Sequence, residues 1–403
     1  MRHDRAELSV TPAGIYLSIP FCRQKCTYCN FASEAHAAES LPEYLRLLES
    51  EIRDRAALWP SAGIPAWDDA TADTIYLGGG TPGLLTAEQL AGLLRMACAS
   101  FPVKQCEPGI EVTLEASPEN VTEASAGAWA SCGVNRISMG VQSMVTQELR
   151  AVGRMHDADT VRRATACLRA AGIRNISADL IAGLPHQTPE SWRVSLERLL
   201  ELEPAHFSVY MLEVDEDSHL GRELLGGGPR YRAGAVPPEE QVADCYCTAI
   251  ETLRAAGYEQ YEISNFARPG CESRHNWKYW SNAPYFGFGV DAHSYDGARR
   301  WANTDSLDVY RASMARGESP VTECKVLARR EQIEERLFLG LRRRGGVSLP
   351  EIDAEFAADV AERYNGAIQE FVDAGWMEQH GGRLRLTDRG LLFSNEVFAG
   401  FLS

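Results

Sequence analysis

Gly14-Ile15-Tyr16-Leu17-Ser18-Ile19-Pro20-Phe21-Cys22-Arg23-Gln24-Lys25-Cys26-Thr27-Tyr28-Cys29-Asn30-Phe31 decides the reading of this chain. Its first six residues are an apolar run of strand length. The run stops at Pro20, and three cysteines follow at the spacing C-x3-C-x2-C in the loop leaving the strand. Cysteines this close on one loop can present several thiolates to one metal centre. Arg23 and Lys25 lie between them, and nearby cations favour thiolate over thiol.

The spacing fits a [4Fe–4S] cluster. Three ligands on a four-iron cube leave one iron without a protein ligand, and an open coordination site implies a small-molecule ligand. Zinc is the competing reading. It needs a fourth Cys or His in a matching pair, and Cys245-Tyr246-Cys247 has the wrong spacing and sits in an expected helix. The chain has eleven cysteines; the eight outside the loop (Cys98, Cys106, Cys132, Cys167, Cys245, Cys247, Cys271 and Cys324) are scattered. In a reducing compartment such cysteines are small core hydrophobes.

Outward from the loop, residues 14 to about 211 alternate short apolar runs with amphipathic segments. Strands are expected at Gly14–Ile19, Thr74–Leu77, Ile110–Leu114, Arg136–Met139, Asn175–Leu180 and Phe207–Met211. A helix starts near Leu41, and others are expected at Ala87–Ala99, Glu123–Ser131, Thr160–Ala171 and Glu190–Leu202. The alternation predicts an α/β fold: right-handed βαβ units forming a parallel, partial (β/α)6 TIM-like barrel. In such a barrel function gathers at the C-terminal ends of the strands, where the cysteine loop falls. Gly226–Pro238 breaks the pattern, a helix follows at Glu239–Ala256, and an aromatic-rich region runs to about Thr304. From about Arg329 three helices precede a hairpin (Trp376–Gln379, Arg383–Leu386), a small winged-helix-like α+β domain. The expected division is 1–225 for the barrel, 226–325 for a linker and aromatic-rich extension, and 326–403 for the C-terminal domain.

The 403 residues suit two or three domains, and 45 % hydrophobic with 24 % charged residues is ordinary for a globular protein. A net charge of −16 argues against nucleic acid as a partner, winged-helix shape notwithstanding. No stretch approaches the roughly 20 apolar residues that span a membrane, and the first residues lack an apolar signal core, so a cytoplasmic location is expected.

More polar groups fall at expected strand ends. Gly78-Gly79-Gly80-Thr81-Pro82 follows the second strand, where consecutive glycines let backbone N–H groups approach a ligand. Glu115 ends the third strand, Gln142 follows the fourth with Arg154 twelve residues on, and Asp179 closes the fifth. Inside an apolar run an unpaired Asp is costly, so Asp179 is expected to contact a ligand or to pair with Arg154.

The cysteine motif on the first barrel strand resembles the radical SAM superfamily over about residues 14–211. The resemblance implies S-adenosylmethionine (SAM) on the open iron. Together with Tyr16, GGGTP, Glu115, Gln142, Arg154 and Asp179, it resembles the oxygen-independent coproporphyrinogen III oxidases and their relatives. By that resemblance Tyr16, Gly79 and Glu115 contact the cluster-bound SAM. Gly80, Thr81, Gln142, Arg154 and Asp179 lie around a second SAM position. Two departures separate the chain from the oxidases: Phe31 stands where they carry a further cysteine, and only about thirteen residues precede the first strand. Both point to the HemW-type heme chaperones that share the oxidase scaffold. So does His275-Asn276-Trp277-Lys278-Tyr279-Trp280, an H-N-x-x-Y-W motif linked to heme in that group. Imidazole is a common axial ligand of heme iron, and aromatic rings can cover the macrocycle. His275 is therefore the expected heme ligand, with His293 as the substitute and Arg274 or Lys278 for the propionates. The tail, Leu386-Thr387-Asp388-Arg389-Gly390 and Ser394-Asn395, resembles the C-terminal domain of the same group. The implied partners are heme and recipient apo-hemoproteins, with any membrane contact made through the recipient. The implied activity is chaperoning; the alternatives are a coproporphyrinogen III oxidase and a radical SAM enzyme of another substrate.

Overall fold

The computed structural model describes residues 11–35, 40–103 and 109–402; Cys106 and the N-terminal ten residues lie outside them. Six parallel strands run side by side in chain order: β1 (Ala13–Ile19), β2 (Ala72–Gly79), β3 (Glu111–Ala116), β4 (Arg136–Gln142), β5 (Asn175–Ala182) and β6 (His206–Met211). Their side chains are buried almost continuously rather than alternately, as in β1 with Ile15, Leu17 and Ile19. That is the mark of a parallel sheet covered on both faces.

The covering helices are α1 (Leu41–Ser61), α2 (Ala87–Ser100), α3 (Glu123–Ser131), α4 (Ala158–Ala170) and α5 (Pro189–Leu200). Local chemistry starts each of the last four. Thr86, Thr122, Asp157 and Thr188 accept the backbone N–H three residues on, so the chain turns into a helix soon after leaving its strand. The barrel is partial and α/β, as the alternation predicts.

The segment 226–325, read from sequence as a linker and extension, is part of the same sheet. After α6 (Glu239–Ala255), β7 (Asn265–Ala267) pairs antiparallel with β6 on one edge, with the short strand Glu259–Gln260 outside it. Beyond α7 (Arg274–Trp280), β8 (Tyr285–Phe288) lies parallel to β1 on the other edge. β9 (His293–Tyr295), β10 (Arg299–Asn303) and β11 (Val321–Val326) continue antiparallel from it. The sheet thus has twelve strands among the described residues. Trp59 of α1 welds this extension to the barrel, packing on Phe286, Phe288 and Trp301 at 5.3, 5.7 and 5.5 Å.

The C-terminal domain opens with α8 (Arg329–Leu341). It carries a three-stranded sheet of Val347–Ser348, Met377–His380 and Arg383–Leu386. The hairpin turns on Gly381 and Gly382, whose φ of 57° and 78° suits the primed two-residue turn that favours glycine. Among the described residues no helix is long and apolar enough to cross a membrane.

Candidate functional site

At the C-terminal ends of β1–β6 lies an open cavity of about 630 Å³. The cysteine loop forms one wall. Cys22, Cys26 and Cys29 all line the cavity, carry free thiols and are half-buried. The loop is held from several sides. Thr27 donates its N–H to Val152 O (3.2 Å) and accepts from Leu220 N–H (2.7 Å). Asn30 Nδ2 donates to Asp215 Oδ2 (2.9 Å), and the Thr81 hydroxyl points at Cys22 Sγ (3.5 Å). Gly80 packs against the loop so closely that a Cβ would lie 2.6 Å from Phe21 O, so only glycine fits. Burial pushes the Cys29 thiol up, and Cys26 and Cys22 add to the shift. The three sulfurs are thus within electrostatic reach of one another. A metal centre supplies the positive charge that lets such thiols ionise.

The opposite wall carries the polar groups. Gly79 at the end of β2 with Gly80 and Thr81 just after it, Glu115 from β3, Gln142 from β4, Arg154 and Asp179 all line the cavity. Glu115 accepts from the Tyr76 hydroxyl at 2.8 Å; burial raises its carboxyl to about 7, with Asp179 adding to the shift. Burial also raises Asp179, which accepts from Ser138 (2.8 Å) and Ser177 (3.0 Å). The expected alternative partner of Asp179, Arg154, goes elsewhere. Its guanidinium donates to the Tyr28 hydroxyl (2.9 Å) and to Ser117 (3.1 Å), clamping the cysteine loop onto β3. Gln142 takes a φ of 66°, strained for a non-glycine residue, and its buried Oε1 has no hydrogen-bond partner among the described residues. Among the described residues the three thiols are not already drawn together as metal ligands, but the donor types fit: three free thiols on one loop for a [4Fe–4S] cluster, and an orphaned acceptor with the Glu115 and Asp179 carboxylates for SAM beside it.

Tyr16 stands just below this layer. Its ring stacks on Tyr76 (6.0 Å between centroids), and its hydroxyl lies 3.5 Å from where a Cβ of Gly79 would be. Sequence reasoning missed Tyr76, Tyr28, Ser117, Ser138 and Ser177. Tyr28 was detectable, since it sits inside the cysteine motif; the serines carry no pattern that singles them out.

His275 is not brought to the cavity. It lies at the opposite end of the barrel, beside Gly14 and Thr74 of β1 and β2, and is 1 % exposed. Nδ1 faces the Thr74 hydroxyl and Nε2 the Tyr279 hydroxyl, each at 2.8 Å. Burial lowers its pKa to about 3, Lys278 adding to the effect, so the ring is neutral. The expectation that this imidazole is presented to a heme iron is not met in this conformation, because both nitrogens are already bonded. The cations expected for propionates are also engaged: Lys278 and Arg274 pair with Asp73 at 2.7 and 3.4 Å. His293, the substitute, has a side chain 67 % exposed beside Asp291.

Comparison with known proteins agrees with this geometry. Residues 16–199 match the radical SAM superfamily and residues 327–393 the HemN C-terminal domain. The heme chaperone HemW of Bacillus subtilis (strain 168) is 35 % identical over 387 residues, covering 96 % of this chain and 98 % of that protein. The chain belongs to the HemW family. The HemW of Escherichia coli (strain K12) is 33 % identical over 288 residues, 71 % of each chain. A mitochondrial radical S-adenosyl methionine domain-containing protein 1 of Mus musculus is 31 % identical over 350 residues, 85 % of this chain and 76 % of that one. The solved structure of the E. coli coproporphyrinogen III oxidase HemN, described as a radical SAM enzyme, superposes with a TM-score of 0.84. It covers 99 % of this chain and 93 % of that one at 22 % identity, which shows a shared fold. The C-terminal extension of this HemW-family sheet, β8 included, therefore belongs to that architecture.

Proposed function

We propose that the chain is a heme chaperone that holds a [4Fe–4S] cluster on Cys22, Cys26 and Cys29, binds SAM beside it, and passes heme to an apo-hemoprotein. The observation that carries the reading is the shared cavity. Three free thiols on one wall face the Glu115, Gln142 and Asp179 wall across one open volume. The bound cluster would supply one iron open to the amino and carboxylate groups of SAM. This chain's residues do the rest. Glu115 would receive the ammonium, Gly79 and Gly80 would border the ligand through their bare backbone while the Gly80 N–H stays bonded to Ile19 O, and Arg154 fixes the loop through Tyr28.

The chaperone reading is favoured over the oxidase by Phe31. Its ring is 61 % exposed at the cavity rim, where the oxidases carry a further cysteine, and a phenyl ring carries no proton or radical chemistry of a thiol. Heme binding is supported by family membership; His275, held by Thr74 and Tyr279, adds no support in this conformation. The deciding experiment uses anaerobically reconstituted protein with coproporphyrinogen III and with heme in parallel. A chaperone binds heme and transfers it intact to an apo-protein without decarboxylating the porphyrinogen. Robust formation of protoporphyrinogen moves the chain to the oxidase reading.

A further inference from the structure

Two lines of contact descend from the cavity and end at the helix that bears the H-N-x-x-Y-W motif. The first starts at Glu115. Its Oε1 takes the Tyr76 hydroxyl (2.8 Å), and the Tyr76 ring lies between Tyr16 (6.0 Å) and His275 (5.2 Å). His275 is tied there at three points. Thr74 and Tyr279 hold its two nitrogens, and its backbone N–H donates to Glu111 Oε1 at 3.0 Å. Gly14 leaves the room: a Cβ there would meet His275 Cε1 at 3.0 Å.

The second line starts at Asp179 and is hydrogen-bonded throughout. With the Ser177 hydroxyl proton on Asp179 Oδ1 (3.0 Å), Ser177 accepts from His206 Nδ1–H at 2.8 Å. His206 Nε2 must then accept from the Tyr261 hydroxyl (2.9 Å), whose oxygen accepts the Ser273 N–H (3.3 Å). Ser273 is the N-cap of α7, and the Tyr261 ring stacks on Trp277 of the same helix at 5.6 Å. Ser208, 3.3 Å from Ser177 and also bonded to Asp179, braces the same carboxylate, and burial keeps His206 neutral, so that one ring nitrogen donates and the other accepts along the line.

We propose that α7 is the floor on which the Glu115 and Asp179 carboxylates are set, so that His275, Tyr261 and His206 are positioning residues for SAM. The proposal rests on the reading of Glu115 and Asp179 as SAM contacts. Two acids this close repel one another when both ionise, and Asp179 already pushes Glu115 up. Donors on the side away from the cavity decide which oxygen of each acid faces inward. Partners of this outer kind commonly change ligand affinity 10–100-fold when removed at metal sites. The motif is thereby tied to SAM, whatever else it binds.

The test uses anaerobically reconstituted full-length protein and SAM as the probe. Its dissociation constant and its effect on the EPR spectrum of the reduced cluster are measured for wild type, Tyr261→Phe, Thr74→Val and Thr74→Ser. Tyr261→Phe keeps the ring on Trp277 and deletes the hydroxyl; Thr74→Val frees His275 Nδ1. Tyr261→Phe and Thr74→Val should each bind SAM roughly tenfold more weakly at wild-type cluster content. Thr74→Ser should restore the affinity, which a role in stability alone does not predict. SAM affinity within twofold of wild type in both Tyr261→Phe and Thr74→Val overturns the proposal. If Thr74→Val cannot hold a cluster, Tyr261→Phe decides alone. A wild-type protein whose EPR spectrum ignores saturating SAM overturns the SAM reading itself, a separate result that removes the premise.

Discussion

Replacing His275 by Ala separates a buried support from a heme ligand. The substitution removes the acceptors or donors facing Thr74 and Tyr279, and Thr74 is 0 % exposed, so its hydroxyl loses its partner in the interior. A buried hydroxyl left unpaired costs about 1–3 kcal/mol. Lost ring contacts with Tyr76 and Tyr279, both 5.2 Å away, add about 1 kcal/mol. The expected destabilisation is therefore roughly 3 kcal/mol, large against a typical folding stability of about 5–15 kcal/mol. Urea unfolding under anaerobic conditions reads the stability, and a heme titration at a urea-free temperature well below the transition reads the Soret band. A support gives the full loss of stability with the Soret band and heme affinity retained in the folded fraction. A ligand gives the reverse: little change in unfolding and a shifted or missing Soret band. The second pattern would refute the geometric argument. Thr74→Val sharpens the choice, since it frees the imidazole without deleting it; a ligand should then bind heme at least as well as before.

Five further outcomes follow from the cavity. Changing Cys22, Cys26 and Cys29 together to Ala should abolish the iron–sulfur absorbance and the roughly four irons per chain expected for one cubane; normal iron and sulfide content in the variant would end the ligand assignment. Glu115→Ala should weaken SAM binding by about 1–3 kcal/mol, seen as a higher SAM concentration for the half-maximal EPR change. Because burial raises Glu115 to about 7, it is protonated below that pH and ionised above it. An ammonium prefers the ionised form, so SAM affinity should rise from about pH 6 to about pH 8 in wild type and stay flat in Glu115→Gln. The folding linkage has the opposite sign: a raised acid stabilises the fold fully at low pH, and that contribution is lost as pH climbs through about 7, measurable as a falling denaturation midpoint. Finally, product chromatography should detect no conversion of coproporphyrinogen III; turnover would place the chain with the oxidases.

Much of the barrel was legible because its cues are local. The expected helix Glu123–Ser131 matches the observed span, and the six expected strands differ only at their ends. Arg136–Met139, for example, extends to Gln142, because Gly140 interrupts the apolar run without ending the ladder. The cysteine loop was legible because spacing alone specifies it. β8 was not: Tyr285-Phe286-Gly287-Phe288 is four residues long with every side chain buried, so it has neither alternation nor length to mark a strand. The orientation of His275 was not legible for a different reason. Composition showed an imidazole among aromatic rings, which suits a heme pocket and a packed floor equally; only the positions of Thr74 and Tyr279 distinguish them. Those partners are 201 and 4 residues away in sequence.

The same helix explains why the C-terminal domain bears on the site although it lies at the far end of the barrel. Tyr261 O accepts the Arg344 N–H and Arg342 O accepts the Ile263 N–H, each at 3.1 Å. The Arg342 guanidinium lies over the Trp280 ring at 4.3 Å, and Arg336 donates to Ser281 O at 2.8 Å. α7 is therefore pressed between β1–β3 on one side and the start of the C-terminal domain on the other. Among the described residues, a heme approaching His275 through either of these faces would break backbone bonds at Tyr261 and Ile263 or the Asp73 pairs of Arg274 and Lys278. Either opening would also disturb Tyr261 or Tyr76, and through them the partners of Asp179 and Glu115. If a ligand binds at the motif and SAM in the cavity, the two would then be linked, and the linkage would be reciprocal: whatever factor SAM imposes on the motif's ligand, that ligand imposes on SAM.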